Sequence, residues 1–273
     1  MSGLQWVTEV PTLPPRPSDS HKGTFGKLLV VAGSVGMAGA AVLCVRAATR
    51  GGVGLVRVAL PEPLVATFPL SVPEAMTFLA IAREVKQQLG DADAVVIGPG
   101  LSTNAPTMSL LQTVLQHSPV PVVIDADALN VLSPLTKKLT CRAPLILTPH
   151  PGEAARLLGT SIALVQSDRE AAVAALCERS GAIVVLKGKG TLVSDGQKCF
   201  ENATGNPGMA AGGSGDVLAG LLGALLARGL DPFDAACLAV NVHGRAGDRA
   251  RDAIGENGMV ASDLVAAIAQ ELR

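Results

Sequence analysis

The sequence has no tyrosine, one tryptophan and five phenylalanines, so aromatics make up 2% of its 273 residues. Proteins that grip single-stranded nucleic acid stack bases on aromatic platforms, and there is little here to stack on. Charge is scarce too, at 16%, with 22 basic against 23 acidic residues and a net charge of −1. That balance excludes the basic footprint of a nucleic-acid binder. The five cysteines are odd in number, scattered, and form no CxxC or Cys/His spacing. They argue against a disulfide framework or zinc site and for a reducing compartment. The start, MSGLQWVTEV, has no basic region leading into an apolar core, so no secretory signal is expected. The longest apolar run, Val217 to Ala227, falls short of the roughly 20 residues that span a bilayer. The expectation is a soluble cytoplasmic chain that engages neither nucleic acid nor membrane. A nucleotide would have to be held by glycine backbone and aliphatic walls.

What is present is a large apolar fraction, 48%, and 30 glycines, enough chain for one large α/β domain or two small ones. The organising stretch runs from Asn202 to Arg228. It passes through Gly212-Gly213-Ser214-Gly215-Asp216 straight into an Ala/Leu-rich run that reads as a buried helix. Free N–H groups at a helix start, backed by the helix dipole, make a ready phosphate site. Asp216 falls in the first turn of that helix. A carboxylate there gains about 0.3–1 kcal/mol from the dipole alone. Beside bound phosphate it would be repelled, which a chemical role would explain: taking the proton from a hydroxyl that attacks the phosphate.

In chain order, residues 1–20 are proline-rich and read as an extended lead-in to a single domain over 21–273. A strand over Lys27–Ala32 ends in Gly33-Ser34-Val35-Gly36-Met37-Ala38-Gly39 and a helix from about Ala40 to Thr49. The GxxGxxG spacing is not the GxGxxG of a dinucleotide turn, leaving close βα packing or a ligand cradle. Strands follow at Gly54–Leu60, at Ala94–Ile97 before Gly98-Pro99-Gly100, and at Val120–Ile124 before Asp125-Ala126-Asp127-Ala128-Leu129-Asn130. Between the first two, the pattern predicts only a helix near Ala82–Leu89. Asp125 and Asp127 would reach the same side of the sheet if the strand continued; otherwise one caps a helix and the other is solvated. Leu145–Thr148 is a strand leading to Pro149-His150-Pro151-Gly152-Glu153, where two prolines fix His150. Ser167 and Glu170 match a capping box for a helix from Asp168 to Arg179. The strand Ala182–Leu186 leads to Lys187-Gly188-Lys189-Gly190-Thr191, and a hairpin turns at Asp195-Gly196. Strands alternating with helices throughout predict a three-layer α/β/α fold with a mostly parallel sheet, its glycine loops gathered along one edge.

Six of these segments together resemble the NAD(P)H-hydrate dehydratase family, a branch of the ribokinase-like superfold. They are His21-Lys22-Gly23 with Ala32-Gly33-Ser34, then Gly98-Pro99-Gly100, Asp125–Asn130, Thr148–Glu153, Lys187–Thr191 and Asn202–Asp216. The resemblance implies a hydro-lyase that repairs nicotinamide nucleotides, removing water from the S epimer of hydrated NADH or NADPH at the expense of a nucleotide. Bacterial members use ADP and release AMP; eukaryotic ones use ATP. It further implies phosphoryl transfer to the ring hydroxyl followed by loss of phosphate. Carried over, Asp216 faces the hydrate as base, and Gly212, Gly213, Ser214 and Gly215 form the anion hole. Lys187, Gly188, Lys189, Gly190 and Thr191, with Gly215, hold AMP, while Ala40, Gly100 and His150 line the hydrate pocket with Asn130 and Asn206 as further polar contacts. Phosphoryl transfer calls for Mg2+, with Glu153 meeting it through water. The resemblance also suggests a homo-oligomer, a tetramer. Because the pattern starts near residue 20, no fused epimerase domain is expected, and a separate epimerase or spontaneous reaction would supply the S form. The alternative is a small-molecule kinase of the same superfold acting on a vitamin alcohol and stopping at the phosphoester. A nucleotide sensor without turnover would gain nothing from Asp216.

Overall fold

The unbroken apolar runs become the middle of one sheet. In the computed structural model, which describes residues 4–272, the chain forms β1 (Gln5–Val7), β2 (Lys27–Val31), α1 (Ala38–Arg50) and β3 (Leu55–Leu60). A single turn, α2 (Glu62–Val65), leads to β4 (Ala75–Leu79). Three helix–strand units follow: α3 (Ala82–Leu89) with β5 (Ala94–Ile97), α4 (Ala105–His117) with β6 (Val122–Ile124), and α5 (Ala126–Leu132) with β7 (Leu145–Leu147). Helices α6 (Pro151–Leu158), α7 (Ile162–Ser167) and α8 (Arg169–Ser180) precede β8 (Ile183–Leu186), which runs on into a hairpin of β9 (Thr191–Ser194) and β10 (Lys198–Asn202). The last three helices are α9 (Ser214–Ala227), α10 (Pro232–Ile254) and α11 (Ala261–Glu271).

The sheet order is β1-β10-β9-β8-β7-β6-β5-β2-β3-β4. Only β9 runs against the rest, antiparallel to both β8 and β10. Side chains alternate across the sheet: Leu28 and Val30 enter a layer with α1, α9, α10 and α11, while Leu29 and Val31 enter the opposite layer with α3 to α8. Coverage on both faces is why these strands show no polar alternation. Helix α9 is buried from Val217 to Ala227, as its all-apolar surface requires. The expected three layers and mostly parallel sheet are present. Among the described residues no helix is long and apolar enough to cross a membrane.

Three local expectations are corrected. The proposed capping box at Ser167 does not form. Ser167 ends α7, and the Asp168 carboxylate caps α8 by accepting the Ala171 N–H at 2.9 Å. Asp125 and Asp127 do not share a sheet face, because the chain turns helical at Ala126 and Asp127 belongs to the first turn of α5. The stretch between β3 and α3 contains β4, whose position at the sheet edge leaves Met76 48% exposed and weakens the apolar pattern that marks a buried strand. Within the proline-rich lead-in, Gln5–Val7 adds a parallel edge strand to β10, and the Arg16 guanidinium stacks over Phe25, 3.8 Å from its centroid.

Candidate active site

Strands β2, β5, β6, β7 and β8 are neighbours running in the same direction, so the loops after them meet at one edge of the sheet, where α/β folds bind ligands. The loop after β2 is tied to the loop after β5 by the Gly33 N–H, which donates to the Pro99 carbonyl at 2.8 Å. Gly100 has φ +63, and a β-carbon there would lie 2.8 Å from the Met37 carbonyl and 2.9 Å from the Ala40 methyl. Ala40 and Gly100, expected to line one pocket, are therefore packed against each other.

Charge gathers on the next three strand ends. Asp125, buried after β6, accepts from the Thr148 hydroxyl at 2.7 Å and from the Lys187 ammonium at 2.9 Å. Lys187 directly follows β8 and also lies 3.8 Å from Glu153 Oε2. Glu153 sits in the first turn of α6 and accepts the His150 N–H at 2.8 Å, while His150 Nδ1 accepts from the N–H groups of Gly152 and Glu153 at 3.0 and 3.4 Å. This is a capping box with a histidine as the cap. With Nδ1 accepting, the ring proton is on Nε2, which lies 3.4 Å from Glu153 Oε1. Burial, then the nearby Lys187 and Arg156 cations, lower the His150 pKa and keep the ring neutral at neutral pH.

Asp216 faces this cluster from α9. Burial, followed by the negative charge of Asp125, raises its carboxyl to about 7, although Lys187 pulls the other way. Glu153 is also raised, first by burial and against Lys187. Burial works against the Lys187 ammonium, but Asp125 and then Glu153 more than compensate and lift its pKa. The result is one largely buried cation among three carboxylates, two of which hold protons unusually well. The start of α9 lies directly beside it: a β-carbon on Gly215 would sit 3.1 Å from Lys187 Nζ. Gly213, the residue before the helix, has φ +94, a conformation glycine adopts without strain. The N–H groups that follow it are not consumed by a side-chain cap.

The remaining predicted residues divide. Within Lys187–Thr191, Lys187 turns inward, Lys189 is exposed, and the Thr191 hydroxyl donates to the Gly188 carbonyl at 2.8 Å. Arg169, missed in the sequence, holds this loop by donating to the carbonyls of Leu186, Lys187 and Gly190 at 2.9, 3.3 and 3.2 Å. Asn130 is engaged with Arg156 at 3.0 Å and Asp127 at 3.3 Å. Asn206 donates to Asp248 at 3.1 Å and accepts from the Gly208 N–H, so each asparagine uses part of its hydrogen-bonding capacity on its neighbours. His243, also missed, lies buried against Ser214. Its signal was hidden because a lone histidine within a helical apolar pattern carries no spacing of its own.

Among the described residues no group of three or more His, Cys, Asp or Glu side chains is placed to hold a metal. Glu153 has its oxygens committed to the capping box and to Lys187. These residues fit an ion carried by nucleotide phosphates and water, the usual arrangement for Mg2+, rather than a protein cage.

A family model for NAD(P)H-hydrate dehydratase matches residues 28–270. The chain is 46% identical to a Neisseria meningitidis protein described as an ADP-dependent (S)-NAD(P)H-hydrate dehydratase, over 92% of this chain and 86% of that one. It is 42% identical to a bifunctional NAD(P)H-hydrate repair enzyme of Moorella thermoacetica, over 93% of this chain and 50% of the relative. The chain thus spans about half the length of such bifunctional relatives. The crystal structure of a Bacillus subtilis ADP/ATP-dependent NAD(P)H-hydrate dehydratase, co-crystallised with ATP and Mg2+, superposes with a TM-score of 0.88 at 32% identity, covering 95% of this chain and 93% of that one. A pyridoxal kinase from the same organism, at 18% identity and a TM-score of 0.57, shares the fold alone. With the match running from β2 into α11 and a solved relative superposing along nearly its whole length, this chain belongs to the NAD(P)H-hydrate dehydratase family.

Proposed function

We propose that this protein dehydrates the S epimer of hydrated NADH and NADPH, using ADP as phosphoryl donor and releasing AMP and phosphate. The observation that carries the proposal is Asp216: a carboxylate in the first turn of α9, coupled to Lys187 and Asp125, with its pKa raised to about 7. A general base works best with a pKa near the working pH.

In the proposed sequence, the Asp216 carboxylate takes the proton of the ring hydroxyl as its oxygen bonds to the terminal phosphorus of the nucleotide. The bond between that phosphorus and AMP breaks, and AMP leaves. The lone pair of the ring nitrogen then expels phosphate by breaking the carbon–oxygen bond, and loss of a proton from the neighbouring carbon restores the double bond. Gly212–Gly215 form the anion hole for the phosphoryl in flight, a preorganised set of donors in which the Ser214 N–H already donates to the Ala211 carbonyl at 3.3 Å, and Lys187 supplies a largely buried positive charge beneath them. Mg2+, when bound, would neutralise charge on the phosphates, with Glu153 meeting its water shell. The Lys187–Thr191 loop, braced by Arg169, is the seat for AMP, and Ala40, Gly100 and His150 are the hydrate's walls. Asn130 and Asn206, held by Arg156 and Asp248, are further polar contacts for the hydrate.

The dehydration step is assigned to a single domain over residues 21–273; interconversion of the R and S hydrates is a different activity. We also propose that the protein assembles as a homotetramer. Met76 on the terminal strand β4 and Leu70 before it are 48% and 86% exposed, apolar surface at a sheet edge of the kind another copy covers. The test of function is recovery of the reduced-nicotinamide absorbance from hydrated NADH with Mg2+ and either ADP or ATP. Nucleotide-dependent recovery is expected, faster with ADP. No recovery from folded, nucleotide-binding protein would overturn the proposal and favour the small-molecule kinase, which leaves a stable phosphoester.

A further inference from the structure

We propose that His243 is a positioning residue for the anion site: its ring N–H holds Ser214 so that the backbone N–H groups at the start of α9 stay aimed at the terminal phosphate. The inference rests on the functional proposal above, which assigns that phosphate to Gly212–Gly215.

His243 lies within α10 and is 8% exposed. Its Nε2 is 3.0 Å from the Ser214 carbonyl oxygen and 3.4 Å from the Ser214 hydroxyl. A carbonyl oxygen can only accept, so Nε2 carries the proton and donates. The nitrogen facing Ser214 therefore has no lone pair to receive the serine's proton, which removes the serine–histidine nucleophile as an explanation of the contact. Burial brings the imidazole down to about 4, so it acts as an oriented dipole at neutral pH.

The same turn is held from the other side by packing. A β-carbon on Gly213 would fall 2.4 Å from Leu43 Cδ1 on α1, so α1 closes one flank and His243 the other. Other groups on α10 fix the approach to the turn. Asn202 donates to the Val240 carbonyl at 3.2 Å, and the Thr204 hydroxyl donates to the Asn241 carbonyl at 3.1 Å. Asp248 accepts from the Gly205 N–H at 2.9 Å and from Asn206 at 3.1 Å. At Gly244 a β-carbon would lie 2.1 Å from the Thr204 hydroxyl oxygen, so the loop rests on bare helix backbone. These contacts anchor residues 202–206. His243 reaches further, to the first turn of α9 itself, and its loss should be felt at the phosphate rather than along the whole loop.

The test compares ADP and AMP binding by calorimetry in the wild type, His243→Leu and His243→Gln, each checked by thermal melting. Leucine fills the space without a donor, whereas the glutamine amide can place an N–H where Nε2 was. Expected is a roughly tenfold loss of ADP affinity in His243→Leu, the scale of one buried hydrogen bond, with AMP affinity within about twofold. Glutamine should recover most of the loss, and kcat for hydrate should fall in His243→Leu with the hydrate KM unchanged. Should His243→Leu not fold, His243→Asn, too short to reach Ser214, takes its place. An unchanged ADP-to-AMP affinity ratio, equal losses for both nucleotides, or glutamine no better than leucine would overturn the proposal. Because binding is read without turnover, a wild type that fails to recover reduced nicotinamide sinks the functional proposal separately.

Discussion

Replacing Asp216 by asparagine should make the protein more stable above neutral pH while removing most of its activity. Asparagine keeps the shape of the side chain and deletes its charge. The carboxyl moves from an ordinary 3.8 to about 7 on folding, so between those values the folded chain binds a proton that the unfolded chain has released. Stability then falls as pH rises through that window, and the loss is complete above about 7. A displacement of about three pH units corresponds to a ceiling of about 4 kcal/mol. Solvent at the mouth of the site screens part of it, so the gain in Asp216→Asn at pH 8 should be about 2–4 kcal/mol. At pH 4 the gain should vanish, since the wild-type carboxyl is then protonated. Urea unfolding at the two pH values measures this, and hydrate turnover should drop by roughly 10²–10⁴-fold, the range of a general base. The wild-type rate should climb with pH and level off above about 7. Equal stability of the two proteins at pH 8, or a gain that persists undiminished at pH 4, would refute the reasoning.

Lys187→Met leaves Asp125, Glu153 and Asp216 together without their cation; the acid limb of the pH–rate profile should move to higher pH, and denaturant unfolding should show a loss of about 3–5 kcal/mol, the cost of breaking a buried pair. Gly215→Ala brings a methyl to 3.1 Å from Lys187 Nζ, so ADP binding measured by calorimetry should weaken while the melting temperature moves little. Arg169→Ala frees three carbonyls of the segment Leu186–Gly190 and should raise the nucleotide KM roughly tenfold, with the hydrate KM unchanged.

Much of this architecture was legible because buried elements announce themselves. Strands such as Ala94–Ile97 are apolar on both faces and stopped by glycine, and α3 carries a helical period that ends at Gly90. Edge strands do not: β1 and β4 present one side to solvent, so neither shows a continuous run nor a clean alternation. The capping box failed by one residue because Ser167 and Asp168 are both good caps and only the length of α7 decides between them. The motif loops do come together along one sheet edge, as the alternation of strands and helices implies, but the pairing of Lys187 with Asp125 and Glu153 has no sequence signal of its own. What could not be read was which side chains brace those loops. Arg169 and His243 sit in helices whose local patterns are complete without them, and their roles exist only once α8 and α10 are packed.

The strand at the very edge of the sheet has a practical meaning. Trp6 is the sole tryptophan of a chain without tyrosine, and it stands on β1, paired opposite Cys199 and 46% exposed. Intrinsic ultraviolet emission from this protein therefore comes from one indole on that outer strand. Peeling of β1 from β10 can be followed optically by itself, and emission from reduced nicotinamide at the site can be recorded against an almost dark protein.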